Sequence, residues 1–202
     1  MKKLLLTGFE PFLDYPVNPT EKIVQALDGT KRNHINIVGK ILTVDFQQSG
    51  RQLLKYFREE KPDAVISLGL AGGRYKITPE RIAINCNDGA GDNRGNKPQG
   101  EKIDENGPDG LFSTLPIREI TAKLQEAGYP AEISNTAGTY LCNNIMYQML
   151  NEIRKSSKQI PSGFIHIPAS HELALRHGKI PSWSHRDLVE SILICIDCLA
   201  EM

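Results

Sequence analysis

The sequence predicts an α/β fold, a single α/β/α sandwich over residues 1–202 with a mostly parallel, twisted central sheet. Strand-like and helix-like patterns alternate from end to end, as they do when helical crossovers join parallel strands. Lys3–Phe9 and Ala64–Leu68 read as buried strands, which a sheet covered on both faces requires. A chain of 202 residues can bury one sizeable core, and no linker or internal repeat divides it.

Taken in order, Lys3–Phe9 is the first strand. Asn18-Pro19 pairs a capping residue with a proline in the first turn, opening a helix that runs to about Asp28. Ile35–Val44 is β-rich. Phe46, Gly50, Leu53, Leu54 and Phe57 mark one face of a helix that stops before Pro62. Ala64–Leu68 is a strand, and Arg81–Asn87 alternates in a strand-like way. Residues 88–110 are dense in Gly, Asn, Asp and Pro and read as a long surface loop, a common setting for function. Pro116–Ala127 is helical, Ala131–Ser134 a short strand, Leu141–Lys155 a helix and Phe164–Ile167 a strand. Leu188, Ile192, Cys195, Ile196 and Leu199 mark a closing helix.

Composition excludes several classes. The formal net charge is zero, so no basic stripe points to nucleic acid. The start resembles a signal peptide for six residues only, since Glu10, Pro11 and Asp14 interrupt it. No apolar run approaches the roughly 18–20 residues of a membrane span. Cys86, Cys142, Cys195 and Cys198 are too sparse for a disulfide scaffold, which points to reduced thiols and the cytoplasm. Neither a metal nor a cofactor is expected.

Cys142 invites two readings. Ile145, Met146, Met149, Leu150 and Ile153 follow it at helical spacing, so it lies on the core stripe of its own helix, where a free cysteine behaves as a small hydrophobe. It also falls in the first helical turn, where free N–H groups and the helix dipole stabilise a thiolate. The Thr136-Ala-Gly-Thr139 run before it permits close approach of a ligand. A nucleophile needs a base. His34, His171, His177 and His185 lie in polar surroundings, whereas His166 ends a strand in Phe-Ile-His-Ile-Pro and reads either as a buried structural histidine or as that base. Glu80, Asp88 and Asp92 are candidates to orient the imidazole, and spacing does not choose among them. Gly-Leu-Ala-Gly-Gly-Arg at 69–74 lacks the spacing of a phosphate loop and reads as a glycine turn shaping a pocket. Phe9 and Phe12 flank a loop and either clamp it or line an apolar slot. Cys195-x-x-Cys198 lies within a helix, where core packing is the simpler reading.

Several stretches together resemble the pyrrolidone-carboxylate peptidases (pyroglutamyl peptidase I). They are LLTGFEPF, the Asn-Pro pair at 18–19, GLAGGR, ITPERIAIN, the Asp-Asn and Gly-Asn pairs within 92–96, LPI at 115–117, NTAGTYLCN and GFIHIP, in family order from residue 4 to about 168. The resemblance implies a cysteine peptidase that removes an N-terminal pyroglutamate. It implies Cys142 as nucleophile, His166 as its histidine and Glu80 as the carboxylate, with Phe9, Phe12, Asn18, Leu70 and Tyr140 at the substrate. It also implies a homo-oligomer, a tetramer in relatives. Departures stand beside the matches. Leu70 occupies a position where relatives usually carry glutamine, and Tyr140 one where they carry phenylalanine. Leu13-Asp14 replaces a glycine pair. The 88–91 loop, Asp-Gly-Ala-Gly, is shorter than usual and lacks the family's arginine, with Arg94 nearby but out of register. A ligand-binding protein drifted from catalysis and a phosphorylase-like transferase are the alternatives on the same scaffold.

Overall fold

The computed structural model describes residues 2–156 and 159–200. Its first half contains β1 (Lys2–Phe9), α1 (Pro19–Leu27), β2 (Lys31–Arg32), β3 (Ile35–Leu42), α2 (Ser49–Glu60) and β4 (Ala64–Leu70). Short strands follow: β5 (Thr78–Pro79), β6 (Ile82–Ile84), β7 (Asn87–Asp88), β8 (Gln99–Glu101) and β9 (Gly110–Phe112). Then come α3 (Ile117–Glu126), α4 (Leu141–Lys155), β10 (Ser162–Ile167), β11 (Ala169–Ser170), α5 (His171–His177), β12 (Ser182–Trp183) and α6 (His185–Ala200).

The central sheet has six strands in the order β2-β3-β1-β4-β10-β5. The inner four are parallel, and the short edge strands β2 and β5 run antiparallel to their neighbours. Alternation along β1 sends Leu4 and Leu6 to one face and Leu5 and Phe9 to the other, because successive strand side chains point to opposite faces. On the first face they meet Ile23 and Leu27 of α1, Ile120 and Leu124 of α3, and Ile192 and Ile196 of α6. On the second they meet Leu53 of α2 and Leu141, Ile145 and Met149 of α4. The result is three layers. The chain passes from β1 to β3 and then returns across to β4, so the strand order reverses at β1. In such sheets the carboxyl ends beside the reversal open a crevice.

Asn18 caps α1 as its sequence implies, its Oδ1 accepting from Thr20 N at 3.1 Å, with Pro19 in the first turn. Other boundaries differ from the sequence reading. Phe46 precedes α2 rather than lying on it, because Asp45 and Ser49 make a tight hydrogen-bonded turn first. Ala131 and Ser134 form only isolated bridges, to Ile77 and Glu80, too short a pairing for a strand. Arg81–Asn87 breaks into β6 and β7, and the 88–110 excursion contains β8, paired with β7. The stretch from β11 to β12 gave no periodic signal, since it is built of two-residue strands around a seven-residue helix.

Asp104 clips the excursion to α4. Its Oδ2 accepts from Lys155 Nζ at 2.8 Å and Asn151 Nδ2 at 2.7 Å, and its Oδ1 from Asn106 N at 3.0 Å. These bonds, that from Lys155 foremost, hold its carboxyl down to about 2. A depressed carboxyl contributes its stabilisation above its usual 3.8 and loses it as pH falls toward 2. Protection from amide exchange across 103–107, relative to the free chain at the same pH, should therefore fall in the parent over that window, and at pH 7 in Asp104→Ala. Unchanged exchange in the variant would mean that other contacts seat the loop.

Candidate active site

Cys142 is the second residue of α4, whose N-cap, Tyr140, is extended and offers no side-chain cap. The N–H groups of that first turn therefore point out of the helix end without a capping acceptor. The thiol is half-buried and packs against the same apolar cluster as Leu141 and Ile145. Its Sγ lies against Gly69 of β4, where an added Cβ would come within 2.9 Å of the sulfur and 2.6 Å of the Phe164 ring. Only glycine leaves room there.

His166 lies on β10, in register with Gly69 on one side and Thr78 on the other. It is 7% exposed. Its ring packs 4.9 Å from that of Phe164, the ring that crowds Gly69 together with the Cys142 sulfur. Its Nδ1 lies 2.7 Å from Glu80 Oε1. Glu80 is fully buried, held in place by its backbone N–H bonding Phe164 O at 2.9 Å. The same Oε1 accepts from Arg74 Nη1 at 2.9 Å, while Oε2 has no partner among the described residues. Burial opposes charge on the imidazole. Cys142 and then Glu80 outweigh it and raise the pKa of His166 to about 9. Of the three carboxylates open at the sequence level, Glu80 is the one beside His166. Asp92 instead accepts from Phe46 N, Arg94 N and Asn96 N, folding its own loop, and Asp88 is exposed and bonds Gly89 N.

Beside Cys142 an apolar cleft is lined by Phe9, Phe12, Val44, Leu70 and Tyr140. Asn18 does not line it. Its Oδ1 is spent on Thr20 and its Nδ2 on Glu10 O at 3.0 Å, so it shapes the loop that carries Phe12. Leu70 also joins Val17, Ala169 and Leu173, tying the β11–α5 segment to the cleft. The Tyr140 hydroxyl donates to Gly91 O at 3.0 Å, anchoring the short 88–91 loop. Burial, with Asp92 and Cys142 beside it, pushes it up to about 12, so it stays a donor. Leu13 sits at φ 49°, a left-handed conformation that costs a leucine roughly 1–2 kcal/mol and a glycine nothing.

Four residues here have individual roles that sequence reasoning did not assign. Gly69 and Arg74 belong to the glycine-rich turn, whose unusual spacing was the available signal. Asn143 and Thr139 flank Cys142. Asn143 exchanges two bonds with the Ile84 backbone, at 2.8 Å each, and Thr139 O accepts from Asp88 N at 2.9 Å, so both pin neighbouring loops to the start of α4. Cys195 and Cys198 bond Ser191 O and Ile194 O within α6. Among the described residues no cluster of His, Cys, Asp and Glu could hold a metal ion. A larger groove, lined by Leu111, Phe112, Leu150 and Pro161, begins about 12 Å along α4 from Cys142.

The Pyroglutamyl peptidase family model matches residues 2–202. The pyrrolidone-carboxylate peptidase of Oceanobacillus iheyensis is 58% identical over 199 residues, covering 98% of this chain and all of that protein. That of Lysinibacillus sphaericus is 59% identical over 197 residues, covering 98% and 96%. Among solved structures, the pyrrolidone carboxyl peptidase of Thermococcus litoralis superposes with a TM-score of 0.96 at 38% identity, covering 100% of this chain and 94% of that one. Bacillus amyloliquefaciens pyroglutamyl peptidase I superposes with a TM-score of 0.95 at 38% identity, covering 100% and 98%.

Proposed function

The chain belongs to the pyroglutamyl peptidase family, and we propose that it hydrolyses the amide bond after an N-terminal pyroglutamate through Cys142, His166 and Glu80. The observation that carries this reading is the meeting of a helix-end thiol, an imidazole and a buried carboxylate beside one apolar cleft. The Cys142 thiolate attacks the carbonyl that joins pyroglutamate to the next residue. First-turn N–H groups of α4, that of Cys142 included, hold the oxyanion, a role typically worth about 3–4 kcal/mol. His166 gives its proton to the leaving amine, and a thioester forms between Cys142 and the pyroglutamyl group. Neutral His166 then takes a proton from water, which attacks the thioester and frees the acid. Glu80 accepts from Nδ1 throughout.

The pyroglutamyl ring is small, flat and uncharged, and matches the apolar lining of Phe9, Phe12, Leu70 and Tyr140, a cleft of about 10 Å³ that widens to admit it. An ordinary N-terminal ammonium would carry a charge into that slot with no partner, which excludes it. Asn18 acts on substrate at one remove, through the Phe12 loop. We place the enzyme in the cytoplasm, since no disulfide joins its four cysteines, and take it as a homotetramer from its resemblance to relatives. Release of amine from a pyroglutamyl amide reporter, at one rate with and without phosphate, is the deciding assay. No release would favour a drifted binding protein, and phosphate dependence a transferase.

Leu70 gives this reading a local test. Leu70→Gln should raise kcat/KM several-fold by offering the lactam a hydrogen bond. It should lower stability by about 1–3 kcal/mol, because the amide enters the Val17–Leu173 cluster. Kinetics beside thermal unfolding checks both. Unchanged kinetic constants would mean that position 70 does not meet substrate through its side chain.

A further inference from the structure

Residues 69–74 end β4 and reverse the chain, Arg74 N bonding Ala71 O at 2.9 Å. The turn sends the Arg74 side chain back across the sheet edge. We propose that Arg74 is a positioning residue for the hydrolysis: its guanidinium fixes Glu80 as an ionised, acceptor-only carboxylate and so holds His166 in the tautomer with its proton on Nδ1. The proposal rests on the triad reading above and assigns a role to the one cation that touches Glu80 besides His166 among the described residues.

Geometry limits what else Arg74 does. One nitrogen, Nη1, donates to Thr78 Oγ1 at 2.7 Å and Glu80 Oε1 at 2.9 Å. Thr78 is the strand partner of His166, so the guanidinium is set by the same β5–β10 pairing that sets the imidazole. The Arg74 side chain is 37% exposed and Glu80 0%. The cation therefore keeps part of its hydration while it compensates a carboxylate that has none.

Glu80 needs a partner that never titrates. During turnover His166 passes from charged to neutral, and at that moment it offers the buried carboxylate a hydrogen bond but no longer a charge. An isolated buried carboxylate is neutralised by taking up a proton. A protonated Glu80 would donate to Nδ1 and leave the imidazole proton on the nitrogen facing Cys142, where it cannot act as a base. Arg74 is permanently charged and prevents this. Because Arg74 and His166 share Oε1, Arg74 also tempers the pull of Glu80 on the imidazolium. The charged and titratable groups facing His166 are Glu80 and Cys142, with Arg74 reaching it through Glu80.

The test compares Arg74→Met, Arg74→Lys and Glu80→Gln on a pyroglutamyl amide, with kcat, KM and the pH profile of each. It adds the pH dependence of Cys142 alkylation, which needs no turnover. Arg74→Met is expected to lower kcat roughly 100-fold, the scale of acid–base catalysis, with KM within about twofold. Its basic limb should move up by about one pH unit, since removing a permanent cation raises the proton affinity of the coupled Glu80–His166 pair as a whole. Arg74→Lys should keep the parental limb and most of kcat. If Arg74→Met does not fold, Arg74→Gln takes its place. Parental kcat and pH profile in the neutral variant, with Glu80→Gln crippled, would overturn the proposal. So would an equal loss in the lysine and neutral variants with an unmoved limb. Parental kcat in Glu80→Gln would instead overturn the triad reading beneath it.

Discussion

Cys142→Ala should abolish hydrolysis of a pyroglutamyl amide while the protein stays folded. The loss should be roughly 10^5-fold or more, the scale on which removing a nucleophile acts. The stability cost should be about 1 kcal/mol or less, since one half-buried sulfur leaves a helix end and no large void follows. Cys142→Ser should be nearly as inactive, because a hydroxyl stays protonated where a thiol ionises. Alkylation separates the same possibilities without mutation. One equivalent of iodoacetamide at neutral pH should label Cys142 first and stop turnover in proportion. Cys195 is fully buried, and burial raises its thiol further from ionisation, while Cys198 is 2% exposed. Cys86 is half-buried, as Cys142 is, but lies between β6 and β7 rather than at a helix N-terminus. Mass spectrometry that finds another cysteine labelled first, or an alanine variant that still turns over, would return Cys142 to a packing role.

The layered fold was legible because the apolar runs at Lys3–Phe9 and Ala64–Leu68 and the helical stripe after Cys142 are long enough to fix their own period. The β11–α5–β12 segment was not, since two-residue strands carry no period to detect. Cys142, His166 and Glu80 do converge in space. Their motifs pointed to them, but residue spacing alone left Asp88 and Asp92 equal to Glu80. What separates them is β10 pairing with β5, which turns Glu80 under the imidazole, and that is a long-range contact. Asn18 shows the reverse case. A polar residue in a motif suggested substrate, whereas its side chain is consumed by a helix cap and a loop carbonyl. Arg74 was invisible for a related reason. A turn of three glycines hides where its last side chain goes until the strands are paired.

The pH dependence of both rate and stability should carry the signature of His166. Its folded pKa is raised from 6.5 to about 9. A raised histidine contributes stability that is fully present below 6.5 and is lost as pH rises through about 9. The shift corresponds to on the order of 3 kcal/mol. Subtracting the unfolding free energy of His166→Gln from that of the parent, pH by pH, should give a curve flat below 6.5 that falls toward zero by about 9.5. The rate should decline over the same upper limb, because the imidazolium that protonates the leaving amine is then lost. Burial works against the charge, and Cys142 is the foremost influence favouring it. Cys142→Ala should therefore move the limb of the stability curve down, even though that variant has no turnover to follow. Glu80→Gln should move it down as well, by a smaller amount, since Glu80 acts after Cys142 among the groups that raise the imidazole. A difference curve already spent by pH 7.5 would mean that the imidazole is buried neutral and that the thiolate–imidazolium pair does not form in the free enzyme.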